Sequence, residues 1–507
     1  MKLGILCTSA GLFCPPEHAG MEISEIVTDS RLACPGSLFI CIDGLHTDGH
    51  TYIEEAVRRG ACCVLVQAGA PADVPAGVCR LAAENTRSAS ALLYNAYYGD
   101  PCARLKFIGV TGTNGKTTVT HMLRAILEAS LCRCGLIGTV GCESAGRHLE
   151  NRMQNRLANM TTPDPPELYR MLAEMAEDGV EYVLMEVTSH ALALGKLEPI
   201  SFEAGIFTNL TPEHLDFHGT MDAYADAKAK LFRKSKLSVV NLDADYAGRM
   251  LAAASGRATT CAETDAGADY KAEAVRVIGQ TGVDYELHSG RSRLHIHCPV
   301  PGRFTVMNSM QAAVCALELG FGASAVKIAL GALAGIRGRM ERLRLGVEAD
   351  FSVIIDYAHT PDALEKLLRT AKDSCTEGQR VVVLFGCGGD RDRSKRPMMG
   401  AVAARYADAV IVTSDNSRSE DPQAIIEEIL TGMNREDVTV IPDRREAIRY
   451  AILHARPGDL ILLAGKGHEE YEINRSGRAR FSEREIAMQA FEEKRSRGSA
   501  GRDTTDP

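Results

Sequence analysis

The sequence predicts an α/β protein of three consecutive regions, with a phosphate-binding loop in the second and a doubly wound parallel sheet in the third. Three observations carry that expectation. The chain has 507 residues, enough for about three domains. Short apolar runs of strand length alternate with segments whose apolar residues recur at helical spacing. The run TGTNGKTT, residues 111–118, stands between one such strand and one such helix, which is the setting a phosphate-binding loop requires.

The first region, 1–101, offers SLFICIDG and ACCVLVQA as strands and YIEEAVRRGA and ENTRSASALLYNAYYG as helices, the second helix closed by Gly99 and Pro101. The second region, 102–336, opens with the strand KFIGVTG and a helix whose apolar face is Val119, Met122, Leu123, Ile126 and Leu127. It continues through the strands EYVLMEVTS and AGIFTNL, the helix MDAYADAKAKLFRKS and the strand SVVNLDAD. Residues 271–304 alternate like an antiparallel hairpin added to a mainly parallel sheet. The third region, 337–493, repeats strand then helix from FSVIIDYA to DLILLAGKG, the pattern of a doubly wound sheet. The polar tail 494–507 reads as disordered.

Composition excludes several classes. An apolar share of 45% and a charged share of 24% rule out a disordered or fibrous chain. A net charge of −9 without a long basic run argues against nucleic acid or an anionic membrane as partner. Any phosphate must therefore be held by local geometry. The greasy stretch 310–336 is broken by Gln311, Glu318 and Lys327, so no transmembrane helix is expected. The opening MKLGILCTSAGLFC has one lysine and an apolar run too short for a secretory signal, despite LGIL before Cys7. Sixteen scattered cysteines, with Cys62–Cys63 vicinal, Cys132 and Cys134 as CxC and no CxxC, read as reduced thiols of a cytoplasmic protein without structural zinc.

The chemistry concentrates in a few motifs. Gly112 and Gly115 let backbone amides approach phosphate oxygens, Lys116 supplies a point charge, and the Thr117 hydroxyl is placed to ligate magnesium. The strict pattern wants glycine where Val110 stands, so the loop is a variant. Glu186 ends the buried run YVLM and would be delivered to the crevice beside that loop as a metal ligand. Taken alone, His214 and Lys228 read as a loop histidine and a solvated helix lysine. GCGGDRD, residues 386–392, lacks the GxGxxG spacing of a dinucleotide loop. Arg391, Arg418 and the GKGHEE segment 465–470 follow strands of the third region, where two arginines suit a carboxylate-bearing ligand. His295 and His297 share one strand face but lack a third ligand, and read as surface histidines.

TGTNGKTT, TTPDP, MEVTSHAL, FTNLTPEHLDFHG, GRMERL, DYAHTPDALE, GCGGDRDRSKRP, SDNSRSEDP and LLAGKGHEEYE occur in that order. With them the chain resembles the Mur ligases along nearly its whole length. MEVTSHAL with DYAHTPDALE is similar to those members that add the third residue of the peptidoglycan stem peptide. The resemblance implies a three-domain Mur ligase architecture: an N-terminal domain for the UDP end of the substrate, a central P-loop ATPase domain and a C-terminal Rossmann-like domain for the incoming amino acid. It implies ATP-dependent amide formation through an acyl phosphate, with ATP and Mg2+ as cofactors. The expected partners are UDP-N-acetylmuramoyl-L-alanyl-D-glutamate and meso-diaminopimelate, acted on by a cytoplasmic monomer.

The resemblance also assigns residues. Gly112, Thr113, Asn114, Gly115, Lys116, Thr117 and Thr118 match the ATP loop, and Asn308, Arg339 and Asp356 match further ATP contacts. Thr117, Glu186, His214 and Lys228 match metal-holding positions, Lys228 being the lysine the family carbamylates; Lys116, His214 and Lys228 match catalytic positions. Ser30, His46, Thr47, Thr161, Thr162, Thr188 and Lys196 match contacts to the UDP-muramyl dipeptide, Lys196 standing where an arginine is usual and so lacking the bidentate fork. Arg391, Asp415, Asn416, Ser417, Arg418, Gly465 and Glu469 match the amino-acid site. In DNSR, residues 415–418, Ser417 replaces the usual proline, while Arg418 with Arg391 suits the distal carboxylate of diaminopimelate, which lysine lacks. The same reaction with L-lysine or another diamino acid is the nearest alternative. A folylpolyglutamate synthase should lack the set Arg391, Arg418 and Glu469, and a non-catalytic ATP-dependent binding protein has no need of Lys116, Glu186, His214 and Lys228 together.

Overall fold

The strand-rich start of the chain is covered on both faces in a computed structural model, which describes residues 1–44, 47–150, 160–290, 292–333, 335–346, 349–376 and 378–500. Glu25–Val27, Ser37–Ile40, Ala61–Gln67 and Cys79–Ala83 pair in parallel, in chain order. Side chains alternate across the sheet: Leu38, Ile40, Cys63 and Leu65 pack with the helices Leu3–Ser9 and Thr86–Tyr97. Phe39, Cys41, Val64 and Val66 pack with the helix Ile53–Arg58. Two covered faces explain why the inner strands read as continuous apolar runs rather than alternating ones. Asn85 starts the helix Thr86–Tyr97 by accepting the Arg87 and Ser88 amides, each at 3.0 Å, a cap worth about 1 kcal/mol. The segment weighed as an export signal is the helix Leu3–Ser9, with Leu3, Leu6 and Cys7 buried.

The next sheet is built around Lys106–Thr111. Arg257–Ala262, Ser235–Asn241, Phe202–Phe207, Lys106–Thr111, Tyr182–Glu186 and Cys134–Gly138 run parallel in that spatial order. Gly141–Ser144 and Arg147–Leu149 extend it antiparallel. The loop at 112–115, Glu186 and the segment after Phe207 thus leave from the same edge. A Cβ on Gly109 would lie 2.9 Å from Leu231 and Phe202; glycine there lets the helix Met221–Arg233 sit close on the sheet. That helix carries Lys228.

The C-terminal sheet orders Glu341–Arg342, Ser352–Asp356, Leu460–Ala464, Val381–Phe385, Ala409–Val412 and Val438–Val440, all parallel except the first pair. Its two faces bury separate cores, one around Leu364, Leu368 and Ile426, the other around Ile448, Ile452 and Ala487. The hairpin signal corresponds to three antiparallel strands, Tyr270–Val277, Val283–Ser289 and Ser292–Cys298. The chain divides into two compact units, 1–270 with 311–326, and 271–310 with 327–507. The three hairpin strands stand at the end of the sheet order that holds Lys106–Thr111, as the alternation predicts, and residues 271–310 fall in the second unit. Within that unit Phe304 lies against the C-terminal core, and Gly302 leaves room for Thr370.

The tail is a correction. Residues 494–500, expected to be disordered, continue the helix Glu483–Ala500, and Lys494 Nζ donates to the carbonyls of Leu453 at 2.9 Å and Ala455 at 2.8 Å. Residues 501–507 lie outside the described residues. Among the described residues no helix is long and apolar enough to cross a membrane. The sixteen cysteines are all free thiols.

Candidate active site

Strand, loop and helix meet as the motif requires. Lys106–Thr111 ends in the loop 112–115, and the helix starts at Lys116. Gly112 and Gly115 have φ of 149° and 88°, values that favour glycine, and a Cβ on Gly112 would collide with Thr208 Oγ1. A second segment straps the loop from outside. Asn209 Oδ1 accepts the Asn114 amide at 2.9 Å, Thr208 Oγ1 donates to the Asn114 carbonyl at 2.6 Å, and the Thr211 amide donates to Thr113 Oγ1 at 3.0 Å. Sequence reasoning passed over Thr208, Asn209 and Thr211. They stand in FTNLTPEHLDFHG, from which only His214 was singled out. Lys116 Nζ donates to the carbonyls of Gly112 at 2.9 Å and Thr113 at 2.8 Å, and Thr117 and Thr118 are buried at the helix start.

Lys228 is the sharpest departure from its reading in isolation. It is 1% exposed rather than solvated, and its Nζ donates to the same Gly112 carbonyl at 2.9 Å, 4.5 Å from the centre of the Tyr224 ring. Burial, reinforced by the nearby Lys116 charge and opposed by Glu213, holds this amine well below the usual lysine range. His214 begins the helix Leu215–His218 with a φ of 57° and meets His190 edge to face at 4.8 Å. Burial lowers its imidazole too, against the pull of Glu213.

Across the crevice, Glu186 is 1% exposed. Its carboxylate accepts the Thr139 amide at 2.9 Å and the Thr139 hydroxyl at 2.8 Å. Three threonines gather beside it: Thr161 bonds Thr139 at 3.1 Å, Thr162 donates to the Glu186 carbonyl at 2.8 Å, and Thr162 and Thr188 share a bond of 3.2 Å. Thr188 then caps the helix Ser189–Ala193, which leads to Lys196. Lys196 is buried and pairs with Asp164 at 2.6 Å. Its partner Asp164 and Lys196 itself form one wall of a cavity of about 570 Å³, into which Ser30 and Thr47 also open. Ser30 is held by a bond of 2.9 Å to Glu55. Tyr52 and Arg87, unnoticed in the sequence, line the same cavity. His46 lies outside the described residues.

The second unit gathers the remaining candidates. Asn308 is buried on the helix Phe304–Glu318. Arg339 stacks its guanidinium 4.7 Å from the Tyr357 ring, and Asp356 accepts the amides of Met340 and Ala358, each at 2.8 Å. Burial raises the Asp356 carboxyl, against Arg339. At the ends of the strands Val381–Phe385 and Ala409–Val412, Arg391 and Arg418 flank Gly388: a Cβ there would lie 2.9 Å from Arg418 Nη1 and 3.8 Å from Arg391 Cγ. Arg418, at φ 51°, donates to the Gly389 carbonyl at 2.7 Å. Ser417 is buried, its carbonyl against Gly389, where a side chain has no room.

Beside them Asn416 donates to Glu469 Oε2 at 2.7 Å, and its own oxygen accepts from Lys466 Nζ and the Ile473 amide, both at 2.9 Å. Gly465, at φ 115°, faces Asp415. Burial pushes the Glu469 carboxyl up, aided by Asp415. For Asp415 burial acts in the same direction, but Lys466 and Arg444 outweigh it and hold the carboxyl below the usual range. Lys466, inside the GKGHEE segment, was not singled out from the sequence. His295 and His297 meet carboxylates across the hairpin, His297 with Asp284 at 2.9 Å and His295 with Glu286 at 3.1 Å.

Comparison with known proteins gives one consistent result. Residues 22–98, 110–316 and 338–467 match, in turn, the families described as Mur ligase family, catalytic domain; Mur ligase middle domain; and Mur ligase, glutamate ligase domain. The chain is 41% identical to the UDP-N-acetylmuramoyl-L-alanyl-D-glutamate--2,6-diaminopimelate ligase of Syntrophomonas wolfei, over 92% of this chain and 94% of that protein. It is 39% identical to the ligase of the same name from Geobacillus thermodenitrificans, over 98% of this chain and 100% of that one. A solved structure of a ligase of that name superposes with a TM-score of 0.68 at 30% identity, covering 98% of this chain and all of the other. The chain belongs to the Mur ligase family.

Proposed function

We propose that the protein is the ATP-dependent ligase that joins meso-diaminopimelate to UDP-N-acetylmuramoyl-L-alanyl-D-glutamate in the making of peptidoglycan precursor. The observation that carries this choice of amino acid is the pair Arg391 and Arg418 around Gly388, with Glu469 and Asn416 beside it. Two guanidinium groups suit a distal carboxylate and an acidic side chain suits the ammonium next to it. Diaminopimelate carries both on its distal carbon.

A carboxylate is a poor electrophile, so the substrate's terminal carboxylate first takes the γ-phosphoryl group of ATP, and the amine then displaces phosphate from the acyl phosphate. The transfer brings anions together and calls for positioned cations more than for an acid or base. Lys116 and the amides of residues 112–118 would hold the ATP phosphates; Asn308, Arg339 and Asp356 are assigned to ATP by resemblance alone. The donor set Thr117, Glu186 and His214 fits magnesium, since Glu186 is a buried carboxylate held by hydroxyl and amide donors. Bound there, magnesium supplies charge neutralisation at the transferring phosphoryl group.

Lys228 joins that set once carbamylated. Its desolvated amine favours the neutral form, whose lone pair adds to carbon dioxide, forming an N–C bond and releasing a proton to leave a carboxylate. Ser30, Thr47 and Lys196 would bind the nucleotide end of the substrate in the cavity they line, and Thr161, Thr162 and Thr188 the end nearer Glu186. His46 is assigned to the same substrate by resemblance alone. The test is the product: with ATP, Mg2+, the UDP-muramyl dipeptide and meso-diaminopimelate, its mass should rise by one diaminopimelyl residue. An unchanged dipeptide mass would refute the assignment.

A further inference from the structure

Lys466 is a fully buried cation in a nest of oxygens. Its Nζ donates to Asn416 Oδ1 and to the Tyr471 carbonyl, each at 2.9 Å, with Asp415 Oδ1 at 3.5 Å and Glu469 Oε2 at 3.8 Å. Asn416 Oδ1 has two donors, Lys466 and the Ile473 amide. A side-chain amide whose oxygen is committed twice must turn its NH2 the other way, and here that NH2 donates to Glu469 at 2.7 Å. The Ile473 carbonyl in turn accepts the Arg418 amide at 3.0 Å. One ammonium therefore ties together three separate pieces: the DNSR loop, the GKGHEE turn and the strand Tyr471–Asn474.

We propose that Lys466 is the positioning residue for amino-acid selection: by committing the Asn416 oxygen it fixes the Asn416 NH2 and, through it, the Glu469 carboxylate that reads the distal ammonium of the incoming amino acid. This rests on the function proposed above. Lys466 itself touches no substrate. Its loss leaves the Asn416 oxygen with the Ile473 amide as its one remaining donor of the two, which holds the side-chain amide less firmly, and leaves Glu469 and Asp415 facing each other with less counter-charge.

The experiment is a double-mutant cycle on the full chain with steady-state kinetics. Lys466→Met should raise the KM for diaminopimelate by about 30-fold, the scale of a lost hydrogen bond to a charged group. The kcat should stay within about threefold and the KM for ATP should not move, since uniform binding is what is lost. Asn416→Ala should raise the same KM, and the double variant should be no worse than Asn416→Ala alone, because both changes break one chain of contacts. Lys466→Gln, which keeps a donor without the charge, should fall between wild type and Lys466→Met, and it serves as the test arm if the Met variant does not fold. Additive losses in the double variant, a parallel rise in the ATP KM, or an unchanged diaminopimelate KM would each overturn the proposal. The wild-type control separates it from the parent reading: if the wild type turns over a different amino acid, the function falls, and the same cycle is run on that amino acid.

Discussion

The loop end of the first unit and the proposed amino-acid site of the second hold their lysines in opposite ways. Lys116 and Lys228 both rest on the neutral Gly112 carbonyl. Lys466 is enclosed by Asp415, Glu469 and Asn416 and is 0% exposed. A lysine set on carbonyls suits a site meant for phosphate and, at Lys228, an amine whose charged form burial disfavours. A lysine neutralised by its neighbours is scaffolding, and holds other side chains for a ligand to read. Activation and selection are thus assigned to differently built sites, and each should fail in its own way.

The largest expected failure is at Lys228. Lys228→Ala should lower kcat by about 10³-fold or more, as expected when a metal-site group is lost, while the Kd for ATP stays within about threefold because the loop amides remain. Full ligation by this variant would remove Lys228 from the proposed mechanism. Next comes Arg418→Ala, which should cut kcat/KM for diaminopimelate by about 10²-fold, the cost of stranding a charged partner. The ATP KM should be unaffected. Unchanged diaminopimelate kinetics would mean that the distal carboxylate is read elsewhere. The Lys466 cycle falls between Arg418 and purely structural charges in size.

The smallest effect sharpens the comparison by touching support alone. Hydrogen bonds from the buried Arg396 hold the Glu420 carboxyl down to about 2, from an ordinary 4.5. Because the unfolded chain takes up this proton at higher pH than the folded one, the contribution is complete above 4.5 and is lost as pH falls toward about 2. Glu420→Gln should lower the Tm by about 2–4 °C at neutral pH, and the gap to wild type should narrow as the buffer is taken from pH 5 to pH 3. A gap that does not change with pH would show that the Arg396–Glu420 contact is not the source.

What was legible in the sequence follows the same division. The loop at 111–118 is one contiguous strand–turn–helix, and Glu186 is one residue at a strand end, so local pattern was enough to place both. The strap on that loop reaches from Asn209 to Asn114, 95 residues apart, and no local periodicity encodes such a contact. The Lys466–Asn416 bond spans 50 residues. Lys228 could be recognised by resemblance, but its burial depends on Gly109 admitting its helix to the sheet, which is invisible in a helix read alone. The C-terminal sheet was readable because its strands are continuous apolar runs. The helical tail was missed because its sequence is polar, while Lys494 is held by a contact to Leu453, 41 residues away.

The central claim is that selection of the amino acid is made by a site distinct in construction from the one that activates the carboxylate. The most direct measurement is phosphate release from ATP by the purified protein with UDP-N-acetylmuramoyl-L-alanyl-D-glutamate and Mg2+, run in parallel with meso-diaminopimelate and with L-lysine. The account predicts release with diaminopimelate and little with lysine. Equal release with lysine would contradict the role given to Arg391 and Arg418, and no release with either would contradict the ligase itself.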